Sequence, residues 1–367
     1  MPIRHRHDTK RFEKAILVQV ICGRRDRDEA EESLHELERL ADTAGAVVVG
    51  RITQRRERPT PAHFIGEGKL GDVKLACSEN GANLVIFDNE LSSAQVNNID
   101  LALGIKVIDR TELILQIFAH RARSAEAQIQ VELAQLEYLI TRIPVSEKQA
   151  RFTGGIGMRG PGESPFQLRN APMRKRIKDL KEKLELIQKR RQRSMTKKPA
   201  PIVCLVGYTN AGKSTLLNSL SKADAYVDDR LFATLDTKTR LVYIGPGLNV
   251  LLTDTVGFIR NLPHGLIASF RSTLSVAVES DLLLVVIDAS HHRIHDHIEI
   301  VRNTLKDIGA DGVSSLLLFN KCDTPEAQAV LPKLREQFPD SIELSAKEKN
   351  GLDILKEAIS RKLSLPK

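Results

Sequence analysis

Gly207-Tyr208-Thr209-Asn210-Ala211-Gly212-Lys213-Ser214 follows an apolar, strand-like run, Ile202 to Val206, and leads into Thr215-Leu216-Leu217, which begins like a helix. Gly, four residues, Gly, Lys, Ser is the spacing of a phosphate-binding loop between a strand and a helix. The glycines let the backbone curl until its N–H groups converge on a polyphosphate, at the positive end of the following helix. Lys213 would then set its ammonium against the β- and γ-phosphates, and Ser214 would offer its hydroxyl to Mg²⁺.

Three later segments indicate which nucleotide. Asp254-Thr255-Val256-Gly257 ends the apolar strand around Val250-Leu251-Leu252, where an Asp can hold the water shell of a metal and a Gly amide can reach a γ-phosphate. Asn320-Lys321-Cys322-Asp323 ends the apolar run Leu316 to Phe319. There the Asp323 carboxylate can accept from guanine N1 and N2, a pair of donors that adenine lacks. Ser345-Ala346-Lys347 follows a short strand, Ile342-Glu343-Leu344, and would close over the base. In this order, each at a strand end, the four segments imply a GTPase domain, with Lys213 and Gly257 as catalytic contacts.

Working outward, the chain of 367 residues is long enough for two or three domains. Its four cysteines (Cys22, Cys77, Cys204, Cys322) show no paired spacing, so neither a disulfide framework nor a zinc site is signalled. The longest apolar runs are of strand length and no signal peptide is evident, which implies a cytoplasmic, monomeric protein with no membrane insertion. The formal charge of +8 is concentrated. Between Phe166 and Lys198 stand thirteen Lys/Arg and three Asp/Glu, so this one segment carries the whole basic excess. One-sided charge of this kind, with Arg174, Lys175 and Arg176 in a row, suits a phosphate backbone. With 4% aromatics and no Trp, the contact would be to backbone and shape rather than to stacked bases.

The expected architecture is α/β: an N-terminal parallel α/β domain (1–110), a basic helical hairpin (111–198) and a P-loop GTPase domain with a mostly parallel sheet (199–367). In the first part, strand candidates Ala15–Ile21, Ala46–Val49, Leu84–Phe87 and Lys106–Ile108 alternate with helical stretches Asp28–Leu40, Lys69–Ser78 and Ser92–Leu103. Phe64-Ile65-Gly66-Glu67-Gly68-Lys69 reads as a helix-start turn rather than a second nucleotide loop. In the second part, Ile129, Leu133, Leu136, Ile140 and Ile143 form one stripe and Ile177, Leu180, Leu184 and Ile187 another, as two helices packed side by side require. Between them Gly154–Glu163 holds five glycines and a proline, so neither helix continues through it. This tip would insert where side chains do not fit, with Arg159 and Glu163 as its polar contacts. The third part closes on an amphipathic helix, Leu352–Leu363, and nothing resembling a further domain follows. His291-His292-Arg293-Ile294-His295-Asp296-His297 lies at a loop-to-helix junction and reads as surface capping rather than a metal site.

Leu84–Ser92, Asp109-Arg110-Thr111, Ile117–Ala122, Gln130–Leu136, Gly154–Glu163, Leu231-Phe232-Ala233-Thr234-Leu235-Asp236 and Asp254–Ile259 together resemble the HflX-type GTPases, ribosome-associated members of the P-loop class. The resemblance implies binding to the large ribosomal subunit and its rRNA, a tip that approaches the peptidyl-transferase region, and a role in splitting or rescuing stalled ribosomes. Carried over to this chain, it makes Ser214 and Thr234 the Mg²⁺ ligands, with Thr234 ordering only around a γ-phosphate. Phe232, Ala233, Leu235 and Asp236 join it as switch residues of the GTP/GDP site. Phe258 stands where many GTPases carry a water-orienting glutamine, which implies slow hydrolysis by the free protein. Asn210 matches a residue that in related GTPases helps to bind K⁺.

The sequence also departs from that pattern. Ser164-Pro165-Phe166-Gln167 replaces the usual Thr-x-Leu-Glu, and with Pro172 following, the second helical arm is expected to start near Met173. Thr237-Lys238 stand where Pro-Thr is usual, and the C-terminal domain of many relatives is lacking. Two functional classes remain at this stage: a ribosome-activated GTPase, or a GTP-gated RNA-binding module in ribosome assembly that turns over slowly. The hairpin and its tip favour the first.

Overall fold

A computed structural model describes residues 13–23, 27–142, 165–195, 200–221, 231, 232, 234–260 and 271–364. The chain divides into two compact units, one from residues within 1–117 and 139–171, the other from residues within 118–138 and 172–367.

In the first unit the run KAILVQVIC is strand β1 (Lys14–Cys22), buried over most of its length on both faces. Its neighbours are β2 (Val47–Arg56), β3 (Leu84–Phe87) and β4 (Lys106–Asp109), in the order β2-β1-β3-β4 with every pair parallel. Helices α1 (Arg27–Ala44), α2 (Glu67–Asn80) and α3 (Ser93–Leu103) alternate with the strands, as the pattern predicts. Ile16, Val18, Val20, Val85 and Phe87 pack against Val73 and Cys77 of α2 and Ile99 of α3. The α3 start is a full capping box, Ser92 Oγ accepting from Gln95 N while Gln95 returns its side chain to Ser92 N. Gly66 is the residue before α2, so the Gly66-Glu67-Gly68 turn does start a helix.

Strand β2 extends to Arg56, well past the expected Ala46–Val49. Its second half, RITQRR, is a polar edge that pairs on one side only, so apolar content alone does not reveal it. Helix α4 (Arg110–Arg121) follows β4 directly. Its first residue is the buried hub of the unit. Arg110 donates to Asp88 from Nε (2.9 Å) and Nη2 (2.6 Å), to Glu36 from Nη1 (2.6 Å) and to the Ser33 carbonyl (2.7 Å). Burial pushes the Asp88 carboxyl up, but the Arg110 charge and hydrogen bonds from Gln19 and Ser33 outweigh it and hold the group below its usual range. Every strong donor is matched, so Arg110 and Asp88 work here as scaffold.

In the second unit six strands run in the order β10-β9-β8-β5-β7-β6: β5 (Ile202–Gly207), β6 (Lys238–Gly245), β7 (Leu248–Asp254), β8 (Leu282–Asp288), β9 (Ser315–Asn320) and β10 (Ile342–Glu343). All pairs are parallel except the β6–β7 hairpin. β5 and β8 are buried on both faces, as continuous apolar runs in a parallel sheet must be. Around the sheet lie α7 (Lys213–Ser221), α8 (Arg271–Val278), α9 (Ile294–Asp307), α10 (Pro325–Gln337) and α11 (Leu352–Ser364).

The middle region supplies two more helices, α5 (Ala125–Thr141) and α6 (Pro165–Met195). The two predicted stripes meet: Leu133, Leu180 and Leu184 form a buried cluster with Ile129, Leu136 and Ile177 against it. Ile143 and the tip, with Arg159 and Glu163, lie outside the described residues. The start of α6 corrects an expectation. The helix begins at Pro165 rather than near Met173, and Pro172 sits inside it. A proline at the first helical position costs nothing, because that N–H has no intrahelical partner, and Pro172 removes only one backbone bond from a 31-residue helix. Among the described residues, no helix is long and apolar enough to cross a membrane.

Candidate nucleotide site

The four sequence segments come together at the carboxyl ends of β5, β7 and β9, where open α/β sheets bind ligands. The loop after β5 turns into α7 exactly where the Gly-Lys-Ser spacing requires. Gly212 has φ +92, and a Cβ there would fall 2.1 Å from Asn320 Nδ2, so only glycine fits. Asn210 takes the left-handed conformation (φ 61) at the exposed crest of the loop, while Tyr208, Thr209 and Ala211 are buried around it.

Lys213 is buried, and its Nζ donates to the carbonyls of Gly207 (3.1 Å) and Tyr208 (2.8 Å). Burial lowers its pKa to about 8 against the opposing pull of Asp254. A buried ammonium beside a loop of inward-facing backbone is a cation awaiting an anion. Gly257 lies over it: a Cβ at that position would stand 2.8 Å from Thr209 Cα and 3.1 Å from Lys213 Nζ. The Gly257 amide therefore has access that any other residue would obstruct.

Three oxygens meet beside the lysine. Ser214 Oγ donates to Asp254 Oδ2 (2.6 Å), Thr234 Oγ1 donates to the same atom (2.9 Å), and the two hydroxyls are 2.9 Å apart. Asp254 Oδ1 is buried with no hydrogen-bond partner. Hard oxygen donors and an orphaned carboxylate oxygen fit Mg²⁺, whose octahedral ligands at about 2.0–2.1 Å lie about 3 Å apart along each edge. Bound there, Mg²⁺ would neutralise charge on the β- and γ-phosphates. Thr234 is seated by Asp254 and Ser214 themselves, so its placement does not depend on a γ-phosphate as the resemblance implied.

The base-reading segments are joined to the phosphate loop by one side chain. Asn320 Nδ2 donates to Ala211 O (2.8 Å) and Asn320 Oδ1 accepts from Ala346 N (2.9 Å). Expected as a nucleotide contact, Asn320 instead spends its amide as the clamp between three loops. Lys321 is in the left-handed region (φ 64), with Nζ 2.6 Å from Asp288 Oδ2 at the end of β8. Asp323 and Lys347 are exposed, and Ser345 is buried with its hydroxyl accepting from Glu348 N. Thr255 Oγ1 is likewise internal, donating to Leu205 O (2.7 Å), while Val256 is buried and Thr215 half-buried in α7.

Two of the switch residues are corrected as side-chain contacts to nucleotide. The Asp236 carboxylate accepts from Arg123 N (3.0 Å), Ser124 N (3.1 Å) and Ser124 Oγ, at the start of α5. The Phe232 ring packs edge-on against Phe118, 4.7 Å between centroids. Each finds a better partner in the middle region than a phosphate could offer: a carboxylate is repelled by polyphosphate and a phenyl ring gains nothing from it. Leu235 is buried, and Ala233 lies outside the described residues. Phe258 is fully buried in the same core cluster as Val206 and Leu274, and its backbone ties the second switch to the phosphate loop (Thr209 N to Phe258 O 2.7 Å, Phe258 N to Gly207 O 3.0 Å). No side chain at that position can orient water.

The histidine segment also differs from expectation. His297 is not a surface cap: it is buried in α9, stacked on the phosphate-loop residue Tyr208 (3.9 Å, 8° between planes) and on His291 (4.1 Å). Burial, with His291 and Arg260 nearby, lowers its pKa to about 3 despite Asp288 and Asp296. An unfolded histidine titrates near 6.5. Below that pH the unfolded chain binds a proton that the folded chain refuses, so stability present above pH 6.5 is lost as pH falls, by about 1.4 kcal/mol per pH unit. His297→Phe keeps the stack and removes the proton. Between pH 7 and pH 5 its thermal midpoint is expected to fall less than that of the native chain, the difference amounting to about 2 kcal/mol. Equal acid sensitivity in the two proteins would refute the assignment.

With this geometry in view, the comparisons are specific. Residues 31–119 match the family described as GTP-binding GTPase N-terminal, 121–198 the GTP-binding GTPase Middle Region and 202–321 the 50S ribosome-binding GTPase. GTPase HflX of Caldanaerobacter subterraneus subsp. tengcongensis is 48% identical over 355 residues, covering 96% of this chain and 81% of that one. The chain belongs to the HflX family of GTPases. GTPase HflX of Escherichia coli is 42% identical over 357 residues, covering 96% of this chain and 83% of that one. Among solved structures, SsGBP with GDP is 26% identical and superposes with a TM-score of 0.53, covering 96% of this chain and all of that one. As an HflX-type enzyme the chain binds GTP and GDP and hydrolyses GTP. Lys213 and the converging loop amides are the groups placed to stabilise charge on the transferring phosphoryl group.

Proposed function

We propose that this chain binds the large ribosomal subunit in its GTP state, splitting or rescuing stalled ribosomes, and that hydrolysis permits release. The observation that carries this is Phe258: buried in the core, it leaves the site without a side chain to position water, so a partner must complete it. The match of residues 202–321 to a family described as ribosome-binding supports the choice of partner. The proposed division of labour is 1–110 as an α/β domain, 111–198 as the hairpin that meets rRNA, and 199–367 as the engine. Arg174 and Lys175 are exposed on α6 and suit rRNA phosphates. Arg176 is already engaged, donating to both oxygens of Glu132 (2.7 and 2.9 Å), and serves mainly to hold α6 against α5. Mg²⁺ is assigned to Ser214 and Thr234 beside Asp254, and the exposed amide of Asn210 is placed to help bind K⁺ near the phosphates.

The test is GTP hydrolysis in K⁺ buffer, with and without purified large subunits. Subunits are expected to raise the rate at least tenfold, and exchanging K⁺ for Na⁺ to lower it. Deleting residues 154–162 should leave basal hydrolysis intact and remove the stimulation. Co-sedimentation without stimulation would favour the slow RNA-binding switch in its place, and full stimulation of the deleted protein would show that the tip is not the sensor.

A further inference from the structure

Thr234 lies between two anchors that hold the middle region rather than the nucleotide. Two residues before it, Phe232 packs on Phe118 of α4; two residues after it, Asp236 caps α5. The cap is thorough. One carboxylate takes the backbone N–H groups of Arg123 and Ser124 and the Ser124 hydroxyl, and that hydroxyl in turn accepts from Ala127 N (3.1 Å), inside the first turn of the helix. Phe232 has φ 53, a conformation that an aromatic residue keeps only when its surroundings impose it. The segment is therefore pinned at both ends, with the Mg²⁺-seat hydroxyl at its centre.

Two residues of chain span about 7 Å at most, so little slack separates Thr234 from either anchor. Hydrogen bonds to Asp236 already stand at 3.0 and 3.1 Å and are lost beyond about 3.5 Å. A shift of Thr234 as metal and γ-phosphate arrive or leave must be passed to Asp236, or break the cap.

We propose that Asp236, with Phe232, is the link through which ligation at Thr234 sets the first turn of α5, so that Asp236 is a positioning residue for GTP hydrolysis. The inference rests on Thr234 being a ligand of the GTP site. It specifies how that site is regulated: what holds α5 in its seat also holds Thr234, and the coupling is reciprocal. A partner on the hairpin thereby acts on hydrolysis without touching the nucleotide.

Amide hydrogen exchange across residues 122–130 of the full chain tests this without ribosomes. With a non-hydrolysable GTP analogue and Mg²⁺, the Ser124 and Ala127 amides of the native protein should exchange at least fivefold more slowly than with GDP. In Asp236→Ala that difference should vanish, and basal kcat should drop at least tenfold while GDP affinity stays within threefold. Asp236→Asn retains one acceptor and should fall between, which guards against a folding defect in the alanine variant. The proposal is overturned by a native chain whose α5 amides ignore the nucleotide, by a nucleotide-dependent difference that survives in Asp236→Ala, or by an alanine variant with kcat within twofold of native. Exchange that responds to nucleotide in a protein that large subunits fail to stimulate would count against the ribosomal reading alone.

Discussion

Lys213→Ala is expected to weaken GTP and GDP binding by about a thousandfold, the largest effect of any single substitution in the site. Charge-assisted hydrogen bonds contribute about 1.5–3 kcal/mol each, and an ammonium between β- and γ-phosphates makes two. Burial has already lowered the lysine pKa to about 8, which shows how little solvent screens it, so its attraction for an anion is undiluted. The substitution also strips the Gly207 and Tyr208 carbonyls of their shared donor and loosens the loop. Equilibrium titration with a fluorescent GDP analogue measures the loss. Affinity within tenfold of native would remove Lys213 from phosphate binding and with it the assignment of the loop.

Much of the fold is legible because it is written in local spacing. The runs Ile202–Val206, Leu282–Asp288 and Leu316–Phe319 are apolar without interruption, as only strands buried on both faces can be, and all three lie at the centre of the second sheet. The stripes Ile129–Leu136 and Ile177–Leu184 announce their own meeting through a helical period. What escapes is structure that needs no such signal. The polar half of β2 pairs on one side and stays exposed on the other, and α6 absorbs Pro172 because a long helix tolerates one missing bond.

The site divides along the same line. Glycines, the lysine and the strand-end Asp residues carry their chemistry in a fixed order, so their convergence could be read directly. Second partners could not. Asp236 reaches Ser124 across 112 residues, Asn320 reaches Ala211 across 109, and Arg260 pairs with Asp296 across 36. No spacing encodes such pairs, and each reassigns a residue: Asp236 from nucleotide to helix cap, Asn320 from base contact to clamp. His297 is the same case in the core, since a histidine cluster looks alike whether it is solvated or stacked beneath a phosphate loop. Asp288 at least offered a signal, an acid closing the run LLLVVI, where it anchors Lys321.

Asp323→Asn is expected to invert the choice of base. The carboxylate accepts from two guanine donors, N1–H and the N2 amino group, whereas an asparagine amide presents one acceptor and one donor. Against guanine the new N–H meets the N2 amino group, so one charged hydrogen bond is lost and a donor faces a donor. Xanthine replaces that amino group with a carbonyl, which the asparagine N–H satisfies. Loss of a charge-assisted bond costs about 1.5–3 kcal/mol, and leaving a donor unpaired adds a similar penalty. GDP affinity should therefore fall by about 10² to 10⁴ and XDP affinity rise. The substitution is well placed for a clean outcome. Asp323 is exposed while Asn320 carries the clamp and Lys321 is held by Asp288, so the loop keeps its shape when the carboxylate is lost. Competition between GDP and XDP for the native and variant proteins gives the ratio directly. A ratio unchanged by the substitution would mean that the base is read elsewhere, with the segment Ser345-Ala346-Lys347 the next to alter.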